Sequence, residues 1–120
     1  MKRYCQTLDL KADEALIKEY THWHSPEYIW PEIPEGIRAV GIRQMEIYRL
    51  QTRLFMIIET DDDFDWDAAF ARLSTLDRQA EWEVFVSKFQ KADPTSSSSS
   101  EKWQLMDRIF TLPEVLHKHE

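Results

Sequence analysis

Apolar and polar residues alternate along "RYCQTLDL" (residues 3–10), which predicts a first β-strand. The period then changes. Leu16, Ile17, Tyr20, Trp23 and His24 recur at helical spacing behind Asp13, a residue type suited to helix N-caps. "SPEY" at 25–28 interrupts this helix. Pro31 suits the first turn of a second helical segment, where its missing N–H costs nothing, and Pro34 falls within about the same first turn. Ile33, Ile37 and Val40 form the apolar stripe of that segment, and Gly41 is the expected stop.

Residues 42–50, "IRQMEIYRL", predict a second strand, and 53–59, "RLFMIIE", a third that is apolar enough to be central. Only Gln51-Thr52 separates them, so they should pair as an antiparallel hairpin. "TDDDFD" at 60–65 supplies helix-capping acids; a calcium loop would also need a glycine and a closing glutamate, which are missing. Trp66, Phe70 and Leu73 then mark one amphipathic helix, and Trp82, Phe85, Val86 and Phe89 another. "DPTSSSSS" at 93–100 reads as a flexible surface loop, "KWQLMDRIFTL" at 102–112 as a last strand, and "PEVLHKHE" as a polar tail. The expected organisation is one domain over 1–112 with a Ser-rich loop at 93–101, followed by a tail over 113–120.

The order β-α-β-β-α-β is that of the ferredoxin-like split βαβ arrangement, an α+β fold with helices on one face of a four-stranded antiparallel sheet. The other face also carries apolar side chains and needs a cover. A second copy packed sheet to sheet would supply it, so a homodimer of the dimeric α/β-barrel kind is expected.

Length and composition narrow the function. A chain of 120 residues can bury about two-thirds of its unfolded surface without staples. The net charge of −7, from 22 acids and 15 bases, and the absence of a long basic run argue against nucleic acid. No stretch approaches ~18 continuous apolar residues, which argues against a membrane span. The start, "MKRYCQTLDL", lacks the apolar stretch of a secretory signal, and a lone Cys5 cannot form an internal disulfide; both fit the cytoplasm. Two glycines leave no phosphate-binding loop or dinucleotide fingerprint. Five Trp, four Tyr and six Phe are an excess that suits cores, interfaces or carbohydrate contacts.

The chemistry concentrates in "KEYTHWHSPEYIWPEI" at 18–33. Tyr20 and His24, four apart on a helix, lie on one face within reach of one ligand, and a histidine can both give and accept a proton near neutral pH. The same spacing also fits two residues that merely seal the edge of the core. His22 and His24, with His117 and His119, could be weighed as zinc ligands, but residues two apart on a helix point to different sides and no cysteine cluster helps. No metal is expected. Cys5 reads as a small buried hydrophobe, Ser96 to Ser100 as loop, and Glu46 and Glu59, on facing strands, as pocket acids or edge ion pairs.

Tyr20-x-x-x-His24 followed by Trp30-Pro31-Glu32, Gly41 leading into "RQMEIY", "RLFMIIE" and "EW" at 81–82 together resemble the L-rhamnose mutarotase family, over about residues 2–112. "MKRYCQTLDL" and "GIRQMEIYRL" are similar to a subgroup described as L-fucose mutarotases. The resemblance implies a ferredoxin-like homodimer that interconverts the α and β anomers of a 6-deoxy-L-sugar, a small monosaccharide, without a cofactor. It implies His24 as the acid/base group, Tyr20 as a substrate contact and Trp82 as a wall of the sugar pocket. It also marks departures. Family members usually carry tyrosine at the position of Met45 and tryptophan at that of Glu83, and their spacing between the histidine and the Trp-Pro-Glu is shorter. Two other readings stay open on the residues alone: a cofactor-free monooxygenase of the same dimeric fold, and a non-catalytic ligand-binding module.

Overall fold

Asp13 begins the first helix through its side chain, which accepts hydrogen bonds from the backbone N–H groups of Ala15 (2.9 Å) and Leu16 (3.1 Å). Asp65 does the same for a later helix, accepting from Ala68 N–H at 3.1 Å, so the acidic run at 60–65 ends as a cap. The computed structural model describes residues 1–92 and 99–118. Its elements are β1 (Lys2–Asp9), α1 (Glu14–Trp23), α2 (Glu32–Ala39), β2 (Ile42–Leu50), β3 (Arg53–Thr60), α3 (Trp66–Leu73), α4 (Gln79–Ser87), α5 (Ser99–Lys102), β4 (Gln104–Leu105) and α6 (Leu112–Lys118).

The strands form one antiparallel sheet in the order β2-β3-β1-β4. This is the ferredoxin-like order, with β1 and β3 central. Leu50 pairs with Arg53, which makes Gln51-Thr52 a two-residue turn, and Gln51 takes the left-handed backbone that such turns require (φ 54°). Along β3 the side chains alternate: Leu54, Met56, Ile58 and Thr60 are buried beneath the helices. Phe55, Ile57 and Glu59 point to the opposite face and are only half-buried. On that open face β2 adds Tyr48 and Leu50, 54% and 67% exposed.

Helices α1 to α4 cover the other face. Tyr20, Ile33, Phe70, Leu73, Trp82, Val86 and Phe89 bury there against Leu8, Leu54, Met56 and Ile58. Gly41 takes φ +98° where α2 hands over to β2, the backbone that glycine tolerates best.

The C-terminal part departs from the sequence expectation. Ser99–Lys102, expected in the Ser-rich loop and the last strand, is a short helical turn; residues 93–98 of that loop lie outside the described residues. The strand expected over 102–112 is reduced to Gln104–Leu105. Met106 N–H still donates to Cys5 O at 2.8 Å, and then the chain leaves the sheet. Without a neighbouring strand the alternating apolar residues have nothing to bury against: Ile109 is 96% exposed and Phe110 63%. Leu112–Lys118, expected at the end of the strand and in the tail, is helical, with Pro113 and Glu114 in a first turn that suits both.

Candidate active site

A cavity of about 650 Å³ opens between the helix layer and the β2–β3 side of the sheet. That volume is in the range of small-molecule sites. Tyr20 and His24 reach it from the end of α1, Trp82 and Glu83 from α4, and Met45 from β2. The three residues expected to contact a ligand, His24, Tyr20 and Trp82, therefore share one wall.

Their arrangement is tight. The His24 and Tyr20 rings lie 4.1 Å apart, centroid to centroid, and the edge of His24 meets Trp82 at 5.2 Å. His24 Nδ1 is 2.7 Å from the backbone carbonyl of Tyr20. A carbonyl can only accept, so Nδ1 carries a proton and Nε2 holds a lone pair when the ring is neutral. Burial lowers the His24 pKa below the ordinary imidazole value, and the bond to the Tyr20 carbonyl offsets part of that. The ring is thus neutral at pH 7 and ready to accept a proton. Burial also drives the Tyr20 phenol well above its ordinary range, with the Gln90 amide pulling it down and the Glu83 carboxylate pushing it up. Tyr20 stays a protonated donor.

The rest of the aromatic stretch does not line the cavity. Trp30 stands behind Trp82, edge-on at 5.1 Å, with the Arg78 guanidinium 4.0 Å over its ring. His22 stacks on Tyr28 at 4.1 Å, and both are exposed. Glu46 bonds Tyr48, and Glu59 pairs with Arg3 at 3.3 Å, all on the open sheet face, so neither acid reaches the cavity. Cys5 also sits on that face, half-buried, with its Sγ 3.7 Å from Met106 Sδ. Among the described residues no group of three or more His, Cys, Asp and Glu side chains is placed to hold a metal ion.

Glu83, marked in the sequence only as a departure from the resembled family, adds a polar residue to the wall together with Gln79 and Gln90, which the sequence did not single out. Glu83 is buried, and one carboxylate oxygen accepts from Gln79 Nε2 at 2.9 Å. The other pairs with Lys102 Nζ at 3.0 Å. Burial raises the Glu83 pKa, and Lys102 and Gln79 pull it back. Gln79 and Glu83, four apart, put two polar side chains on one face of α4, and Gln90 lies just past the end of that helix. Nothing in the sequence marked Lys102, because its partner lies 19 positions away.

Fold and cavity define a ferredoxin-like α+β protein with an open cavity lined by aliphatic, aromatic and polar residues. The chain belongs to the L-rhamnose mutarotase family, whose model matches residues 3–112. That is a family of isomerases acting on sugars. It is 40% identical over 116 residues to an L-fucose mutarotase of Xanthomonas campestris pv. campestris, covering 97% of this chain and 92% of the relative. Among solved structures it is similar to the L-rhamnose mutarotase FA22100 of Formosa agariphila, with TM-score 0.66, 16% identity and coverage of 93% of this chain and 99% of that one. A dimeric ferredoxin-like protein from an uncultured marine organism gives TM-score 0.55 at 13% identity, covering 91% of this chain and 90% of that one. These structures bear on the fold alone.

Proposed function

We propose that this protein is a mutarotase that interconverts the α and β anomers of L-fucose or L-rhamnose by acid/base-assisted ring opening. The observation that carries the reading is the fixed tautomer of His24, which leaves Nε2 as the basic nitrogen of a residue that lines the cavity with Tyr20 and Trp82. In the reaction Nε2 takes the proton of the anomeric hydroxyl. The bond from C1 to the ring oxygen breaks as C1=O1 forms, and the ring oxygen receives a proton. Both oxygens are attached to C1, so one imidazole reaches both and returns the proton it took. Rotation about C1–C2 presents the other carbonyl face, and reversal of the same steps closes the ring. Tyr20 donates a hydrogen bond to the sugar, and Trp82 offers an apolar wall to its methyl-bearing face. One positioned histidine contributes roughly 10² to 10⁴-fold, which suits a reaction that proceeds appreciably uncatalysed.

The partner in this reading is a second copy of the chain. Half-buried Phe55 and Ile57 and exposed Tyr48 and Leu50 give the open sheet face an apolar character, and exposed Ile109 and Phe110 follow from the edge strand β4. We place the enzyme in the cytoplasm on its single cysteine, Cys5, which cannot form an internal disulfide.

Exchange between anomeric proton signals, measured by NMR for L-fucose and L-rhamnose with wild type and His24→Ala, tests the reading. Acceleration by wild type that is lost in the variant is the expected result. No acceleration for either sugar overturns the function, and full speed in His24→Ala overturns the role of His24.

A further inference from the structure

We infer that Arg78 is a positioning residue for the reaction: stacked on Trp30, its guanidinium holds that ring against Trp82 and so sets where Trp82 stands beside His24. The inference rests on the mutarotase reading and adds to it a residue behind the wall that shapes the wall. Arg78 opens α4 with left-handed backbone, φ 61° and ψ 3°, which an arginine rarely adopts. Its side chain makes no capping bond to that helix. It reaches to the start of α2 instead, where the guanidinium lies 4.0 Å over the Trp30 ring. Its nitrogens stand 3.9 Å from a Glu32 carboxylate oxygen and 3.6 Å from one of Glu81. The Arg78 side chain is 41% exposed, so ion pairs at such distances contribute little. The planar stack is the specific contact, and it is one that lysine would not reproduce.

The contact is passed on through two rings. Trp30 meets Trp82 edge-on at 5.1 Å, and Trp82 meets His24 at 5.2 Å. The Arg78 backbone carbonyl also accepts from the Trp82 N–H at 2.9 Å, in the first turn of α4. One residue therefore fixes Trp82 twice, through the backbone and through the ring behind it. It also ties together two helices that frame the cavity, which α2 lines with Ile33 and Ile37 and α4 with Trp82 and Glu83. Backbone in a sparsely populated region persists where the surrounding contacts over-determine it, and such residues gather at functional sites. A residue that only had to start α4 would do so at less cost as Gly or Asn, which take left-handed backbone more readily. What arginine adds at this position is the plate over Trp30.

The test uses Arg78→Gly, which keeps the left-handed backbone and removes the guanidinium. Anomer exchange is measured for L-fucose or L-rhamnose, whichever wild type turns over faster. KM should rise about 3- to 10-fold, the range of one loosened aromatic contact, with kcat within about twofold. A merely structural Arg78 would lower the melting temperature and the active fraction, hence the apparent kcat, and leave KM alone; that result overturns the inference. In a Trp82→Phe background the same substitution should change KM by less than about twofold, and equal factors in both backgrounds overturn the inference. Should Arg78→Gly fail to fold, Arg78→Asn, which also tolerates this backbone, is read by the same criteria. Near-UV circular dichroism reads the ring packing without any sugar. The tryptophan bands should weaken in Arg78→Gly, and by less when Trp82 is already Phe; an unchanged spectrum, or equal weakening in both backgrounds, overturns the inference. If wild type accelerates exchange of neither sugar while the bands change as expected, the mutarotase reading falls and the placement of Trp82 by Arg78 stands.

Discussion

The backbone carbonyl of Tyr20 accepts the Nδ1 proton of His24 at 2.7 Å, so the residue that stacks on the imidazole also fixes its tautomer. One helical turn thereby supplies a ring wall, a donor and a base with a defined reactive nitrogen. The consequence is kinetic. His24→Ala should lower kcat/KM for anomer exchange by roughly 10² to 10⁴-fold, measured by NMR. In wild type kcat/KM should fall on acidification with a midpoint below the ordinary imidazole value of about 6.5, since burial holds the His24 pKa down and only the neutral ring accepts a proton. That acid limb should vanish in His24→Ala.

Trp82 meets His24 at 5.2 Å, Trp30 at 5.1 Å and Phe85 at 6.0 Å, and it is 5% exposed. Trp82→Phe keeps a ring but shortens the wall against which the sugar would pack. KM should rise about 2- to 10-fold, the range of one lost aromatic contact, with kcat less affected. Steady-state exchange rates across sugar concentrations give both constants. An unchanged KM would remove Trp82 from the pocket wall and leave it as core.

Lys102 and Glu83 form an ion pair in which both side chains are almost wholly buried. Removing one partner strands the other charge. Lys102→Met should therefore cost about 3–5 kcal/mol in denaturant unfolding. Replacing both, as Lys102→Met with Glu83→Leu, should recover most of that loss. If the single variant is as stable as wild type, the pair does not hold α5 in place.

How much of this was legible in the sequence depended on the range of the interactions. Asp13 and Asp65 cap their helices through bonds to residues two or three positions on, and the alternation along β3 reports directly on its two faces. Such local signals also put Tyr20 and His24 on one face. They did not separate Trp30 from Trp82, because which ring stands in front depends on how α2 and α4 pack. They misled at 102–112, where strand-like alternation lacks a neighbouring strand beyond Met106. The Lys102–Glu83 pair spans elements on either side of the Ser-rich segment, and no periodicity carries it.

Two buried titrating groups should give stability opposite slopes with pH. The folded-state pKa of His24 is lowered, so as pH falls from about 6.5 the unfolded chain takes up the proton first and stability is lost down to the folded value. The folded-state pKa of Glu83 is raised, so the folded chain takes up the proton first as pH falls towards about 4.3, which adds stability. Glu83→Gln removes the second contribution. Its melting temperature should fall more steeply than that of wild type as pH falls from 7 towards ~5. A shallower fall in the variant would contradict the assignment.

Gly41 joins α2 to β2 at φ +98°, with the Phe64 ring 3.5 Å from where a Cβ would stand. The distance is ordinary contact, so sterics with Phe64 are not the obstacle. The backbone is. An L side chain at this φ is strained, and Gly41→Ala should destabilise the fold by about 1–2 kcal/mol. Because β2 carries Met45 to the cavity, a shifted junction should also raise KM for the sugar, whereas simple strain without movement would leave KM alone. Chemical unfolding and exchange kinetics on the same variant separate the two. If Gly41→Ala is as stable as wild type, the positive φ is not required at this junction.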